Sequence, residues 1–92
     1  MHYTHFKTFI SLNGYSDRPE AFKDGIEVAF DQIESNLARL SFKDLAEMLK
    51  DRYERSLTNL ENAQDEDSKD FQLGYQAVCK HYLKGLKGLK GV

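Results

Sequence analysis

Apolar side chains recur at Phe22, Ile26, Ala29, Ile33, Leu37 and Leu40, at spacings of 4, 3, 4, 4 and 3. That period is one stripe of an amphipathic helix, and Phe30 widens it. The stripe predicts a first long helix over residues 19–40. Pro19 suits its first turn, where a missing N–H costs nothing, and Ser16 and Asp17 are candidate caps. From Phe42 the pattern resumes at Leu45, Leu49, Tyr53, Leu57 and Leu60. This predicts a second helix over residues 41–61, with Ser41 as N-cap and Asp44 placed favourably in the helix dipole. A polar stretch, ENAQDEDS, follows. Phe71, Tyr75, Val78, Tyr82 and Leu86 then predict a third helix over residues 68–86, capped by Asp67 or Ser68. Three helices joined by short turns predict an all-α fold, a three-helix antiparallel bundle.

Residues 1–15 read less cleanly. Phe6, Phe9 and Ile10 suit a short helix ended by Gly14 in the left-handed conformation. The β-branched and aromatic content also permits a strand; helix is the expectation. Tyr3, Phe6, Phe9, Ile10 and Leu12 are too many apolar groups to stand in water. The segment is expected to pack across a groove of the bundle or to await a partner.

Gly25 and Gly74 fall inside predicted helices, where each costs roughly 1 kcal/mol relative to alanine. Both lie beside an apolar stripe. The expected reason is a close helix crossing that a side chain would obstruct.

Composition narrows the class. Ninety-two residues make one domain with a modest core. The single cysteine, Cys79, cannot form an internal disulfide, which fits a reducing cytoplasm. The N-terminal stretch has neither a basic leader nor a long apolar core, so no signal peptide is expected. No run approaches the roughly 18 apolar residues of a membrane-spanning helix. Charge is uneven: residues 41–67 carry four basic and eight acidic side chains, and residues 68–92 carry five and one.

No catalytic set emerges. Cys79 and His81 are two residues apart and do not face each other on a helix. No serine sits in a Gly-x-Ser-x-Gly turn. His2 and His5 are three apart but lack the Cys or HExxH context of a zinc site. The acidic turn lacks the alternation and central glycine of a calcium loop. Neither an enzyme nor a cofactor is expected.

The chain ends in LKGLKGLKGV. Lys80 and Lys84 suit a helix C-terminus, where the dipole favours cations. Gly85, Gly88 and Gly91 oppose helix. The third helix is therefore expected to end near Leu86, leaving residues 87–92 as a short mobile basic tail. Lys80, Lys84, Lys87 and Lys90 are candidate nucleic-acid contacts, which would be sequence-blind and salt-dependent.

The run LKDRYERSLTNLENAQDEDSKDFQLGYQAVCKHYLKGL, with its DFxxGYxA helix, resembles small helical accessory proteins encoded by phages and other mobile elements. The resemblance implies a minor part of a virus particle or a protein that binds and blocks a host factor, and brings no catalytic residue with it. The leading expectation is a non-enzymatic module that binds another protein in the cytoplasm. One candidate surface is acidic: Asp44, Glu47, Asp51 and Glu54 on the second helix, with Asp65, Glu66 and Asp67 in the turn. The other is aromatic: Tyr3, Phe6, Phe9 and Tyr15, since buried aromatics tend to dominate interface energetics. Self-association is a further expectation for so small a core.

Overall fold

Each apolar stripe folds as a helix. The computed structural model describes residues 2–90, with the backbone alone described at residues 2–5 and 87–90. The described residues form four helices: α1 (His2–Leu12), α2 (Glu20–Leu37), α3 (Phe42–Asn62) and α4 (Glu66–Lys90). Among the described residues there is no strand. The N-terminal segment is therefore helix.

Glycine ends α1 as expected. Gly14 has φ 70°, its N–H donates to Ser11 O at 3.2 Å, and Tyr15 N–H donates to Ile10 O at 2.9 Å. This paired bonding satisfies carbonyls at the helix end and turns the chain back. Phe9 then meets Phe30, with ring centroids 5.4 Å apart, and Tyr15 meets Phe22 at 4.9 Å. As α1 advances its partners on α2 recede, so the two helices run in opposite senses.

Three boundaries differ from the sequence reading. Pro19 occupies the N-cap position of α2 without any side-chain cap bond, so neither Ser16 nor Asp17 caps it. Pro19 O instead accepts from the N–H groups of Phe22 and Lys23. At its other end α2 stops at Leu37, because Asn36 O accepts from both Arg39 and Leu40 and closes a turn. Helix α4 begins two residues early: Asp65, not Asp67 or Ser68, is its cap, accepting from Ser68 N–H at 2.7 Å. Ser41 caps α3 as expected, accepting from Asp44 N–H at 3.1 Å.

Helix α4 also runs on to Lys90, past the end expected near Leu86. Leu83 and Leu86 pack against the core and hold this last stretch in register. The expected mobile tail at 87–92 thus continues as helix through residue 90; residues 91–92 lie outside the described residues.

The centre of the fold is the meeting of α2 with α4. A Cβ at Gly25 would press into the backbone of α4, inside contact with Phe71 O and 3.1 Å from Tyr75 N. A Cβ at Gly74 would press reciprocally into α2, against Phe22 O and 3.3 Å from Ile26 N. The helices therefore touch backbone to backbone, as the two interior glycines predict. Further along, Phe30 meets Tyr82 at 5.7 Å, so α2 and α4 run in the same sense. Helix α3 runs against α4: its Ser56 lies beside Gln76 and its Tyr53 beside Lys80. Among the described residues the backbones of α1 and α3 do not approach each other, so the two helices flank the α2–α4 pair separately.

The core follows from these contacts. Ile26, Ala29 and Ile33 of α2, Leu49 of α3, and Val78 and Cys79 of α4 are sealed from solvent. Each large aliphatic among them contributes roughly 1.5–3 kcal/mol by burial. Cys79 is a packed thiol: desolvation raises its pKa to about 11, away from the reactive thiolate.

Candidate functional site

The candidate partner anchors of the N-terminus are spent on the fold itself. Phe6 and Phe9 are buried, and Phe9 sits in an aromatic cluster with Tyr15, Phe30 and His81. In this conformation neither is free to anchor a partner. Tyr15 is half-buried between Phe9 and Phe22. The Tyr3 side chain lies outside the described residues. Leu12 alone among the described apolar groups of α1 stays in water, at 81% exposure.

The acidic candidates all reach the surface. Asp44, Glu47, Asp51 and Glu54 are exposed along α3, at spacings of 3, 4 and 3 that keep them on one side. Asp51 pairs with Arg55 Nε at 3.0 Å, but both side chains are more than half exposed and the pair contributes little. The turn acids have local structural work. Bonding from the Ser68 N–H holds the Asp65 carboxyl below its ordinary pKa, while Glu66 and Asp67 occupy the first turn, where the dipole favours anions. Asp67 also lines a cleft with Glu20 and Asp24, apart from the α3 acids. The structure therefore splits the acidic candidates into two groups.

The lysine candidates join a different feature. Lys80 and Lys84 line a groove of about 520 Å³ together with Arg18 and His81. Phe9, Tyr15 and Phe22 form its wall, Leu73 and Ala77 continue its α4 side, and no described carboxylate lines it. Leu73 is 41% exposed, a large apolar side chain left in water beside cations. The spacing Leu73, Ala77, Lys80, Lys84 keeps these residues on the outward side of α4.

Aromatic packing fixes the groove's charge. The Arg18 guanidinium carbon lies 5.4 Å from the Tyr15 ring centroid and 5.2 Å from that of Phe22. Such stacking holds the planar cation in place while leaving its N–H groups to solvent. Lys80 Nζ stands 5.8 Å from the Tyr53 ring, which tethers it at the opposite rim. His81 packs edge-on against Phe9 at 5.1 Å. The Lys87 and Lys90 side chains lie outside the described residues, but the helix that carries them is continuous with this face.

Sequence reasoning did not bring Arg18 or His81 to this groove. Arg18 precedes Pro19 in a turn, and nothing in its neighbours shows which way the turn folds. His81 follows Lys80 on α4, and the outward period through Leu73, Ala77, Lys80 and Lys84 was the available signal.

Among the described residues, no three His, Cys, Asp or Glu side chains gather as metal donors. The His2 and His5 side chains lie outside those residues. No described helix is long and apolar enough to cross a membrane. The chain matches no family model, no curated protein and no solved structure.

Proposed function

We propose that this protein is a non-enzymatic helical module that binds another protein, and that the α4 groove is its binding face. The carrying observation is the grouping of Arg18, Lys80 and Lys84 beside exposed Leu73 with no described carboxylate between them. Cations select an acidic segment, and Leu73 with Ala77 rewards an apolar residue within it. Stacking pre-organises Arg18, which lowers the ordering cost of binding. In this reading α2, α3 and α4 form a three-helix antiparallel bundle. Helix α1 docks on it and supplies one wall of the groove. The exposed acids of α3 then serve solubility and steer association rather than anchor it. A phage-encoded blocker of a host factor, or a minor particle subunit, is a setting such a module suits. The host cytoplasm is its place of action in this account, and self-association is secondary to partner binding.

A second reading, nucleic-acid binding, is favoured by one observation. Because α4 continues to Lys90, positions 80, 84 and 87 fall at spacings of 4 and 3, on one side of a helix. Phosphates would suit such a row. Against it, Phe9 and Phe22 are buried and offer no face for base stacking.

Affinity capture from the native host, followed by titration of the captured partner, tests the proposal. The double variant Lys80→Glu/Lys84→Glu is expected to weaken binding at least about tenfold, equivalent to about 1.4 kcal/mol. Leu73→Ser weakens a protein partner and leaves nucleic-acid binding unchanged. Partner binding that survives the charge reversal contradicts the proposal. A salt-dependent gel shift insensitive to Leu73→Ser selects the second reading.

A further inference from the structure

On a separate face, where α2, α3 and α4 converge, a guanidinium lacks a counter-charge. Arg52 is half-buried, and its Nη1 donates to Gln32 Oε1 at 3.1 Å and to Tyr75 Oη at 3.4 Å. Tyr75 Oη in turn donates to Gln32 Oε1 at 2.5 Å. Both acceptors are neutral. Among the described residues no carboxylate forms an ion pair with Arg52. Its Nε is buried and has no hydrogen-bond partner. A buried donor left unmade costs the desolvation of that group, and more when it belongs to a charged group. Tyr75 does not supply the missing negative charge, because desolvation raises its pKa and keeps the phenol neutral.

The remaining groups around Arg52 suit an anion. A cleft of about 300 Å³ opens here, lined by Arg52, Arg55, Asn59, Gln72 and Tyr75 with Phe71 as an apolar wall. Its other lining residues are Val28, Gln32 and Ser56, so no described acid lines it. With Nη1 occupied by Gln32 and Tyr75, the Nε–Nη2 edge of Arg52 remains unengaged. That edge is the fork that meets two oxygens of a phosphate or carboxylate in parallel. Asn59 and Gln72 add amide donors, and Arg55 adds a second cation whose exposed pairing with Asp51 is weak.

We propose that the cleft between α2, α3 and α4 binds a phosphate group, held by the Nε–Nη2 edge of Arg52 and by Arg55. Nε is buried, so its access requires a side-chain shift at the cleft wall. The site is independent of the α4 groove, and its failure leaves the groove reading intact.

The probe is inorganic phosphate, titrated into the full chain at constant ionic strength against chloride, with amide and side-chain signals followed by NMR. Phenyl phosphate forms a second arm: tighter binding than inorganic phosphate marks a ligand with an organic body against Phe71, and equal binding marks free phosphate. The expected result is saturable shifts at Gln32, Asn59 and Gln72 with chloride inert. Arg52→Gln is expected to weaken binding about tenfold or more, and Arg55→Gln, an exposed change that leaves the fold intact, to weaken it by a smaller factor. No saturable shift in this cleft, or shifts confined to Lys80 and Lys84, overturns the proposal. So does phosphate binding unchanged in both arginine variants.

Discussion

Helix α4 contains two glycines, Gly74 and Gly85, whose surroundings differ. Gly74, in its first half, lies against the backbone of α2, where a Cβ has no room. Gly85, in its second half, has nothing within 4 Å of where a Cβ would stand. The first half is buried against two helices; the second presents Lys80 and Lys84 to a groove and Leu83 and Leu86 to the core. A glycine inside a helix costs about the same intrinsic free energy wherever it falls. What lies opposite decides whether that cost is recovered. At Gly74 it is recovered as backbone-to-backbone packing, and at Gly85 it is not.

The comparison breaks most visibly at the crossing. Gly74→Ala forces α2 and α4 apart and is expected to destabilise the fold by about 3 kcal/mol, the upper range for overpacking. Chemical denaturation reads this directly. Helix propensity alone predicts the opposite sign, a gain of about 1 kcal/mol.

Alkaline titration probes the buried side of α4 next. Burial raises Cys79 from its ordinary 9.0 to about 11 and Tyr82 from 10.0 to about 12, and raises Tyr75 as well. A folded pKa above the unfolded one means the contribution is complete below the unfolded value and lost as pH rises through the folded one. The melting temperature is therefore expected to fall between pH 9.0 and about 12. In Cys79→Ala the decline at the lower end of that window is shallower.

The smallest effect belongs to the open half. Gly85→Ala is expected to stabilise by up to about 1 kcal/mol, since the site is exposed and helical. A loss of stability there would mean that α4 does not continue as helix past Leu86.

Much of this was legible in the residues. The stripes located all three long helices, Gly14 marked the end of α1, and Gly25 with Gly74 marked the crossing. The lower half of α3 departs from the apolar stripe for a specific reason. Leu45, Leu49, Tyr53 and Leu57 are each four apart, and a step of four overshoots a helical turn by about 40°. By Leu57 the stripe has rotated outward, leaving it 38% exposed, while Ser56 is buried at 2%. The inward set is instead Leu49, Arg52, Tyr53 and Ser56, the i, i+3, i+4, i+7 pattern of one helix face. That face carries a cation and a hydroxyl, Arg52 and Ser56, so a stripe of apolar residues alone does not mark the Arg52 cleft. The α4 groove was half legible: Lys80 and Lys84 were candidates, but Arg18 arrives through a turn whose direction depends on the docking of α1. The aromatic residues of α1 illustrate the reverse limit. Their number demanded burial, but whether α2 or a partner would bury them depended on tertiary packing.

Helices α2 and α4 meet backbone to backbone at Gly25 and Gly74. A double-mutant cycle on Gly25→Ala and Gly74→Ala, read by denaturant unfolding, tests it most directly. Once the first methyl has separated the helices, the second has less left to displace. The double variant is therefore expected to lose clearly less stability than the two singles added together, with a coupling of about 1 kcal/mol or more. Two small, strictly additive changes, or a gain of stability at either position, would contradict the crossing.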